Sequence, residues 1–328
     1  MSEASEAHGP AVHSRAARFV LHRLGGLLLV MFFVASITFA IIHIIPGDPA
    51  AVMLGPSASA SDVAALRGRL GLDAPLIVQY WRFLWDAVHL DLGRSLFLDQ
   101  SVLHALGARA PVTLQLTLMA AALAILVGVP LGVLSAVRRG SLLDQIVTTL
   151  AMTSASLPSF WIGLTLITIF SVGVHWFPVA GYGPPSAGLL THLRSLVLPA
   201  IAVGLPNTAL ILRFTRSSML DVLHEDYVRT ARAKGLSPAT VLIKHAFRNA
   251  RTSVLTVIGL TVAGLIGGTI VTETVFGLPG VGNLVVSAVL RRDYPVIDGA
   301  LLVISGIYVL INLAVDLLYL VLDPRLRG

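Results

Sequence analysis

The chain contains two lysines, Lys234 and Lys244, and their neighbours decide what they cannot do. A phosphate-cradling P-loop needs a Lys followed by Ser or Thr after a glycine-rich turn. Here Gly follows the first lysine and His the second, so hydrolysis of ATP by that route is excluded. His224-Glu225 lacks the second His of a zinc-protease helix, and no Gly-x-Ser-x-Gly nucleophile elbow occurs. The ten histidines are scattered, with none three or four residues from another. With no cysteine, no disulfide framework, iron–sulfur cluster or thiol nucleophile is available. The expectation is a chain with no catalytic residue, no metal site and no cofactor of its own.

The cationic residues instead mark a docking device. From Asp226 through Tyr227, Ala231 and Ala233 to Lys234 the sequence reads as a helix, with basic residues at its negative end. Gly235 stands where a helix stop needs positive φ. After Leu236, Ser237 is a natural N-cap and Pro238 suits the first helical position. A second helix carries Val241, Leu242, His245, Phe247 and Asn249. The small Ala231 and Ala233 permit close approach by another surface. A loop resting on anionic headgroups has no use for so rigid a turn, whereas a fit into a partner's groove does.

The elements that position this segment are read from composition. Of the 328 residues, 55% are apolar and only 12% charged, and the mean hydropathy is +0.85. A soluble surface needs roughly twice that share of charge, so the bilayer is the solvent. The fold class expected is all-α, a polytopic membrane protein with six spans of about 20 apolar residues each. The expected spans are Leu24–Ile45, Val112–Val137, Leu142–Val174, Leu196–Leu212, Val254–Phe276 and Ala300–Leu322. The third is read as one tilted helix kinked near Pro158, and the fourth as short, holding Pro199 and Pro206. With the N-terminus inside, the cytoplasmic segments collect most of the 23 basic residues, including Arg213, Arg216, Arg229, Arg232, Lys234, Lys244, Arg248 and Arg251. Both termini are then cytoplasmic. The net charge of +6 reflects this orientation, and nucleic acid is not an expected partner.

The organisation expected is a mobile cytoplasmic segment 1–18, a first span 19–45 and an extracytoplasmic helical loop 46–111. A block 112–253 follows, with the cytoplasmic loop 213–253, and then 254–328 with an outer loop 277–296. The outer loop 46–111 opens on Pro46-Gly47-Asp48-Pro49, and its tryptophans suit helices near the outer interface. Such helices serve either as a packed cap or as a contact surface. Glu273 near the outer end of the fifth span either lines the path or partners a structural group. Asp316 reads as an inner-interface ion pair. Gly264 and Gly268 form a G-x-x-x-G pair for close helix contact.

The elbow 226–249 resembles the EAA loop of ATP-binding-cassette importer permeases. Its detail, Asp226-Tyr227-Val228-Arg229-Thr230-Ala231-x-Ala233-x-Gly235 and then His245-Ala246-x-Arg248-Asn249, is similar to the B-type subunit of the dipeptide/oligopeptide branch. The resemblance continues in Asp91-Leu92-Gly93-Arg94-Ser95 and Leu157-Pro158-Ser159-Phe160-Trp161. It extends to Glu273-x-x-Phe276-Gly277-Leu278-Pro279-Gly280-x-Gly282, Arg292-Asp293-Tyr294-Pro295 and Asp323-Pro324-Arg325. It departs from the general pattern where Arg248 stands near the closing proline. The resemblance implies half of an importer pore for dipeptides or short oligopeptides in a bacterial plasma membrane. The implied partners are a homologous C-type permease, one or two ATPase subunits that carry ATP and Mg, and an extracytoplasmic peptide-binding protein. It implies that Asp226, Tyr227, Ala231, Ala233, Gly235, Leu236, Ser237, Pro238, His245 and Asn249 serve ATPase coupling. Glu273, Phe276, Pro279, Gly280 and Gly282 would then face the path or the binding protein. A permease of the same family for nickel or another metal chelate, or for glutathione, is the alternative. An ion-coupled secondary transporter is a further one.

Overall fold

The computed structural model describes residues 10–44, 48–55, 57–184, 186 and 188–322, and these form helices and connecting turns. In order they are α1 (Pro10–Ile44), α2 (Pro49–Leu54), α3 (Ala60–Leu70), α4 (Leu76–Val88), α5 (Val102–Val137), α6 (Leu142–Ser156) and α7 (Ser159–Leu166). Then come α8 (Gly188–Leu223), α9 (Asp226–Ala233), α10 (Pro238–Thr240), α11 (Arg248–Val275), α12 (Val281–Arg291) and α13 (Tyr294–Leu322). π-helical turns extend α7 over Ile167–Gly173 and join α10 to α11 over Val241–Phe247. Among the described residues five helices are long and apolar enough to cross a bilayer, and a bent pair makes six when counted as one crossing.

Several boundaries differ from expectation. The N-terminal segment is helical from Pro10, where a mobile stretch up to residue 18 was expected; its first nine residues lie outside the described ones. So do Pro46-Gly47 and Asp323-Pro324-Arg325. The third span is two helices meeting at 104°, not one kinked helix, because Leu157 leaves helical geometry (ψ 133°) before Pro158. The fourth span is longer than Leu196–Leu212: α8 runs unbroken through both Pro199 and Pro206. Each ring removes one N–H, which membrane helices tolerate when neighbours re-satisfy the freed carbonyl. The fifth span does not start at Val254, since helix is continuous over Pro238–Val275. Most of the outer loop 277–296 is α12 and the start of α13.

The chain divides into two compact units. One holds the residues up to Pro111 together with Leu284–Leu310. Here Asp48 caps α2 by accepting from the Ala50 N–H at 2.9 Å, and Ser59 with Asp62 forms a capping box on α3. Arg67 bridges Asp48 and Asp73, the latter at 3.0 Å. Burial opposes ionisation of Asp48, but the Arg67 guanidinium and the Ala50 and Ala51 amides outweigh it and hold the carboxyl below its usual range. That contribution to stability is present at neutral pH and is lost as pH falls through the lowered value. Ala50, Met53, Leu66 and Tyr294 form the core. Two of the sequence motifs meet here: Ser95 Oγ donates to the buried Asp293 carboxylate at 2.5 Å, and Gly93 lies against Pro295.

The second unit holds Val112–Asn283 and, among the described residues, 311–322. Its core joins Val112, Leu116, Ile162, Leu196, Leu198, Phe276 and Leu278. At the start of α6, Asp144 is buried, accepts from the Gly140 N–H at 2.9 Å and takes both Arg216 donors at 2.7 and 2.8 Å. This bidentate pair fixes α6 to α8. Gly132 of α5 approaches α8 so closely that an added Cβ would lie 2.7 Å from the Leu212 carbonyl and 2.7 Å from Thr215 Cβ. Gly107, on the same helix, has no atom within 4 Å of that position. Gly132→Ala is therefore expected to cost about 1–3 kcal/mol through overpacking, read as a lowered Tm of detergent-solubilised protein. Gly107→Ala is expected to leave Tm within error, and equal Tm values for the two variants would contradict the close approach.

Candidate functional site: a basic elbow and a buried carboxylate

α9 ends in a hydrogen-bonded stop. Gly235 has φ +76° and donates to the Arg232 carbonyl at 3.0 Å, and the Leu236 N–H reaches the Ala231 carbonyl at 3.4 Å. This double closure is the Schellman motif, which needs a left-handed residue where Gly235 stands. Two residues later the Ser237 side chain accepts from the Thr240 N–H at 3.3 Å, and Pro238 opens the next helix. The two helices are clamped from inside by Val228, Ala231 and Val241, all buried, with Val222 and Leu223 against them. On the outside, Asn249 Nδ2 donates to the Tyr227 hydroxyl at 2.7 Å and to the His245 carbonyl at 3.1 Å. The first helix of the elbow is thus tied to the first turn of α11.

Arg229, Arg232, Lys234, Lys244 and Arg248 are all exposed on this elbow. One of them, Arg229, faces Asp226 at 3.4 Å, with both side chains solvated. Exposed pairs of this kind contribute little, so the elbow offers a net positive surface. Tyr227 and Leu236, each 39% exposed, and Ile243, 68% exposed, add apolar contacts among the charges. A rigid turn with cations around apolar residues can bind an acidic, grooved protein surface.

The other end of α11 is organised around Glu273, which has no exposed surface. Its Oε1 accepts from Thr113 Oγ1 at 2.6 Å and its Oε2 from the Asn283 N–H at 3.0 Å. The Thr113 hydroxyl oxygen in turn accepts from the Val281 N–H at 2.8 Å, and the Leu278 N–H donates to the Glu273 carbonyl at 2.8 Å. The carboxylate therefore staples the end of α11 to α5 and to the first turn of α12. Gly280 and Gly282 are glycines because a Cβ on either would collide with the carboxylate; at Gly282 it would stand 2.8 Å from Oε2.

The ten residues assigned to coupling all lie on the elbow, though Ala231 is buried against Val241, inside the chain. Of the five residues assigned to the path or the binding protein, Glu273, Phe276, Gly280 and Gly282 are buried and Pro279 alone is exposed. Sequence reasoning missed Thr113 and Asp144. Asp144 stands three residues after the cap Ser141, a capping signal legible in sequence; Thr113 gave none. The described residues hold no group of three or more His, Cys, Asp or Glu suited to a metal.

Comparison with known proteins places these features in a family. Residues 128–328 match the model of the binding-protein-dependent transport system inner membrane component, and residues 16–117 match the model of its N-terminal part. A putative peptide transport system permease protein of Brucella abortus (strain 2308) is 46% identical over 308 residues, covering 94% of this chain and 98% of that protein. The di/tripeptide transport system permease protein DppB of Pseudomonas aeruginosa and the dipeptide transport system permease protein DppB of Escherichia coli K12 are each 42% identical over 94% of this chain and 98% of their own. Among solved structures, the inward-facing MetNI methionine ABC transporter matches with TM-score 0.54 and 18% identity, over 67% of this chain and 97% of that one. At that identity the likeness concerns the fold.

Because the space around Gly235 is open, its substitution tests conformation alone. A β-branched residue at positive φ costs roughly 1–2 kcal/mol, so Gly235→Val is expected to lose part of the thermal stability of the detergent-solubilised protein while membrane insertion survives. Gly235→Asn, which tolerates the left-handed region, is expected to retain that stability. An unchanged Tm of the valine variant would contradict the geometry.

Proposed function

The chain belongs to the family of binding-protein-dependent transport system inner membrane components, and we propose how its two ends serve that role. It is a multi-pass inner-membrane permease subunit of an ABC peptide or dipeptide transport system. It is non-catalytic: ATP belongs to partner ATPase subunits, and substrate arrives with a binding protein.

The finer reading is that the elbow around Gly235 seats in the ATPase subunits on the cytoplasmic side, with both chain termini on that side. Closure of the ATPases pushes on α9. The push passes through Tyr227 and Asn249 into α11, whose 28 residues span about 42 Å. At the far end it moves the Glu273 staple and with it the turn carrying Pro279. That turn, within the outer loop 277–296, meets the binding protein. A homologous C-type permease completes the pore. Gly264, Gly267 and Gly268 of α11 are exposed in this chain and offer that subunit a close approach. Dipeptides and short oligopeptides are the substrate class. The observation that carries the reading is the hydrogen-bonded path from a rigid basic elbow into one continuous helix that ends on a buried carboxylate.

The test is uptake of a labelled dipeptide by vesicles containing the full complex. Accumulation is expected with ATP and is expected to be lost with a non-hydrolysable analogue. Accumulation that follows an imposed proton or sodium gradient without ATP would contradict it. A second variant probes the path: Asn249→Ala is expected to lower uptake several-fold while leaving the ATPase subunits bound.

A further inference from the structure

The face of α4 that turns away from the protein is uncovered and apolar. Ile77, Trp81, Trp85 and Val88 lie on one stripe at helical spacing and are 62%, 61%, 68% and 79% exposed. The opposite face is fixed to α1. The Tyr80 hydroxyl is 2.7 Å from Ser36 Oγ, His43 Nε2 is 3.2 Å from Gln79 Oε1, and the Phe39 ring packs on Tyr80 and Phe83 with centroids 5.3 and 5.7 Å apart.

These contacts set the depth of α4. Ser36 belongs to the span Gly25–Ile44. At 1.5 Å per residue it lies about 12 Å inside the end of that span. One leaflet of hydrocarbon is about 15 Å thick. A helix hydrogen-bonded to Ser36 is therefore held at hydrocarbon depth, although its sequence is too short to cross the bilayer. α1 carries its own uncovered apolar face at this level, with Phe33, Ile37 and Ile41 at 55%, 58% and 49% exposure. Arg82 and Asp86 stand apart from the apolar stripe of α4. The combination of tryptophans, an apolar arc and a separate polar edge suits a helix lying in the boundary region of a leaflet.

We infer that α4 is immersed in one leaflet and that lipid acyl chains, not a docking protein, cover the Ile77–Trp81–Trp85–Val88 face. The helix comes from the extracytoplasmic loop 46–111, whose tryptophans already suited helices near the outer interface; the contacts to Ser36 and Phe39 carry it further, into the leaflet. The inference rests on α1 crossing the bilayer and is independent of the transported substrate.

The chain has four tryptophans. In the full complex, Trp161→Phe with Trp176→Phe leaves Trp81 and Trp85 as this chain's tryptophans, and their emission is read as the difference from a matched complex in which both are also Phe. The complex is reconstituted in phosphatidylcholine brominated at a shallow acyl position, in unbrominated lipid, and in unbrominated lipid with aqueous iodide. Bromolipid is expected to quench this emission, since the face lies against acyl chains, with iodide having little effect. Stronger quenching by iodide than by bromolipid would overturn the inference by placing the face in water. No quenching by either would overturn it by showing a protein cover. Where the double variant does not assemble, Trp81→Phe and Trp85→Phe are made singly in the otherwise unchanged chain. Each is then expected to remove part of the bromolipid-quenched emission, and an unchanged quenched fraction in both would contradict the inference. Bromolipid quenching retained in vesicles that show no ATP-driven uptake would count against the transport reading alone.

Discussion

A carboxyl group with no access to water must find its donors within the protein, and Glu273 finds them on two other segments. An unpaired carboxylate in such a place is strongly disfavoured. The Thr113 hydroxyl and the Asn283 amide must therefore stay where they are, and with them α5 and the start of α12. The glycines at 280 and 282 follow from the same constraint, since any side chain there would occupy the carboxylate's place. One end of α11 is thus fixed by hydrogen bonds, not by apolar packing alone. Hydrogen bonds are directional, so rotation of this end changes which donors reach the carboxylate.

The opposite end of the same helix is fixed differently. The elbow is closed by backbone bonds around Gly235, clamped by Val228, Ala231 and Val241, and tied across by Asn249 and Tyr227. Nearly all of its charge faces outward. A flexible basic loop would absorb a push by changing shape, whereas in the proposed mechanism this closed elbow passes it on. The π-helical turn Val241–Phe247 lies within the elbow, and regular helix runs from Arg248 to the staple; π-turns inside helices frequently mark functional positions. A permease that spends energy released elsewhere needs such a stiff receiver joined to a stiff helix.

Much of this was legible in the sequence for physical reasons. Gly235, Ser237 and Pro238 announce their conformations because each residue type is suited to one backbone state. Composition and length point to the five long apolar helices, with a sixth crossing when the bent pair is counted as one. Other features depend on partners far along the chain, which residue type does not disclose. The span holding Pro199 and Pro206 read as short, yet α8 runs through both prolines and extends well beyond Leu196–Leu212. Leu157-Pro158 read as a kink, and became a turn of 104°. Ala231 read as a surface for a partner, but its small size serves contact with Val241 inside the chain. The pairing of Ser95 with Asp293 unites two motifs almost two hundred residues apart, and nothing local in either predicts it.

The account stands or falls on what touches the elbow. A photo-crosslinking residue placed at Leu236, exposed beside the Gly235 turn, reports that contact in membranes containing the assembled system. The account predicts adducts with a separate ATP-hydrolysing subunit, weakened when that subunit is trapped in a different nucleotide state. Adducts with lipid alone, in every nucleotide state, would contradict it.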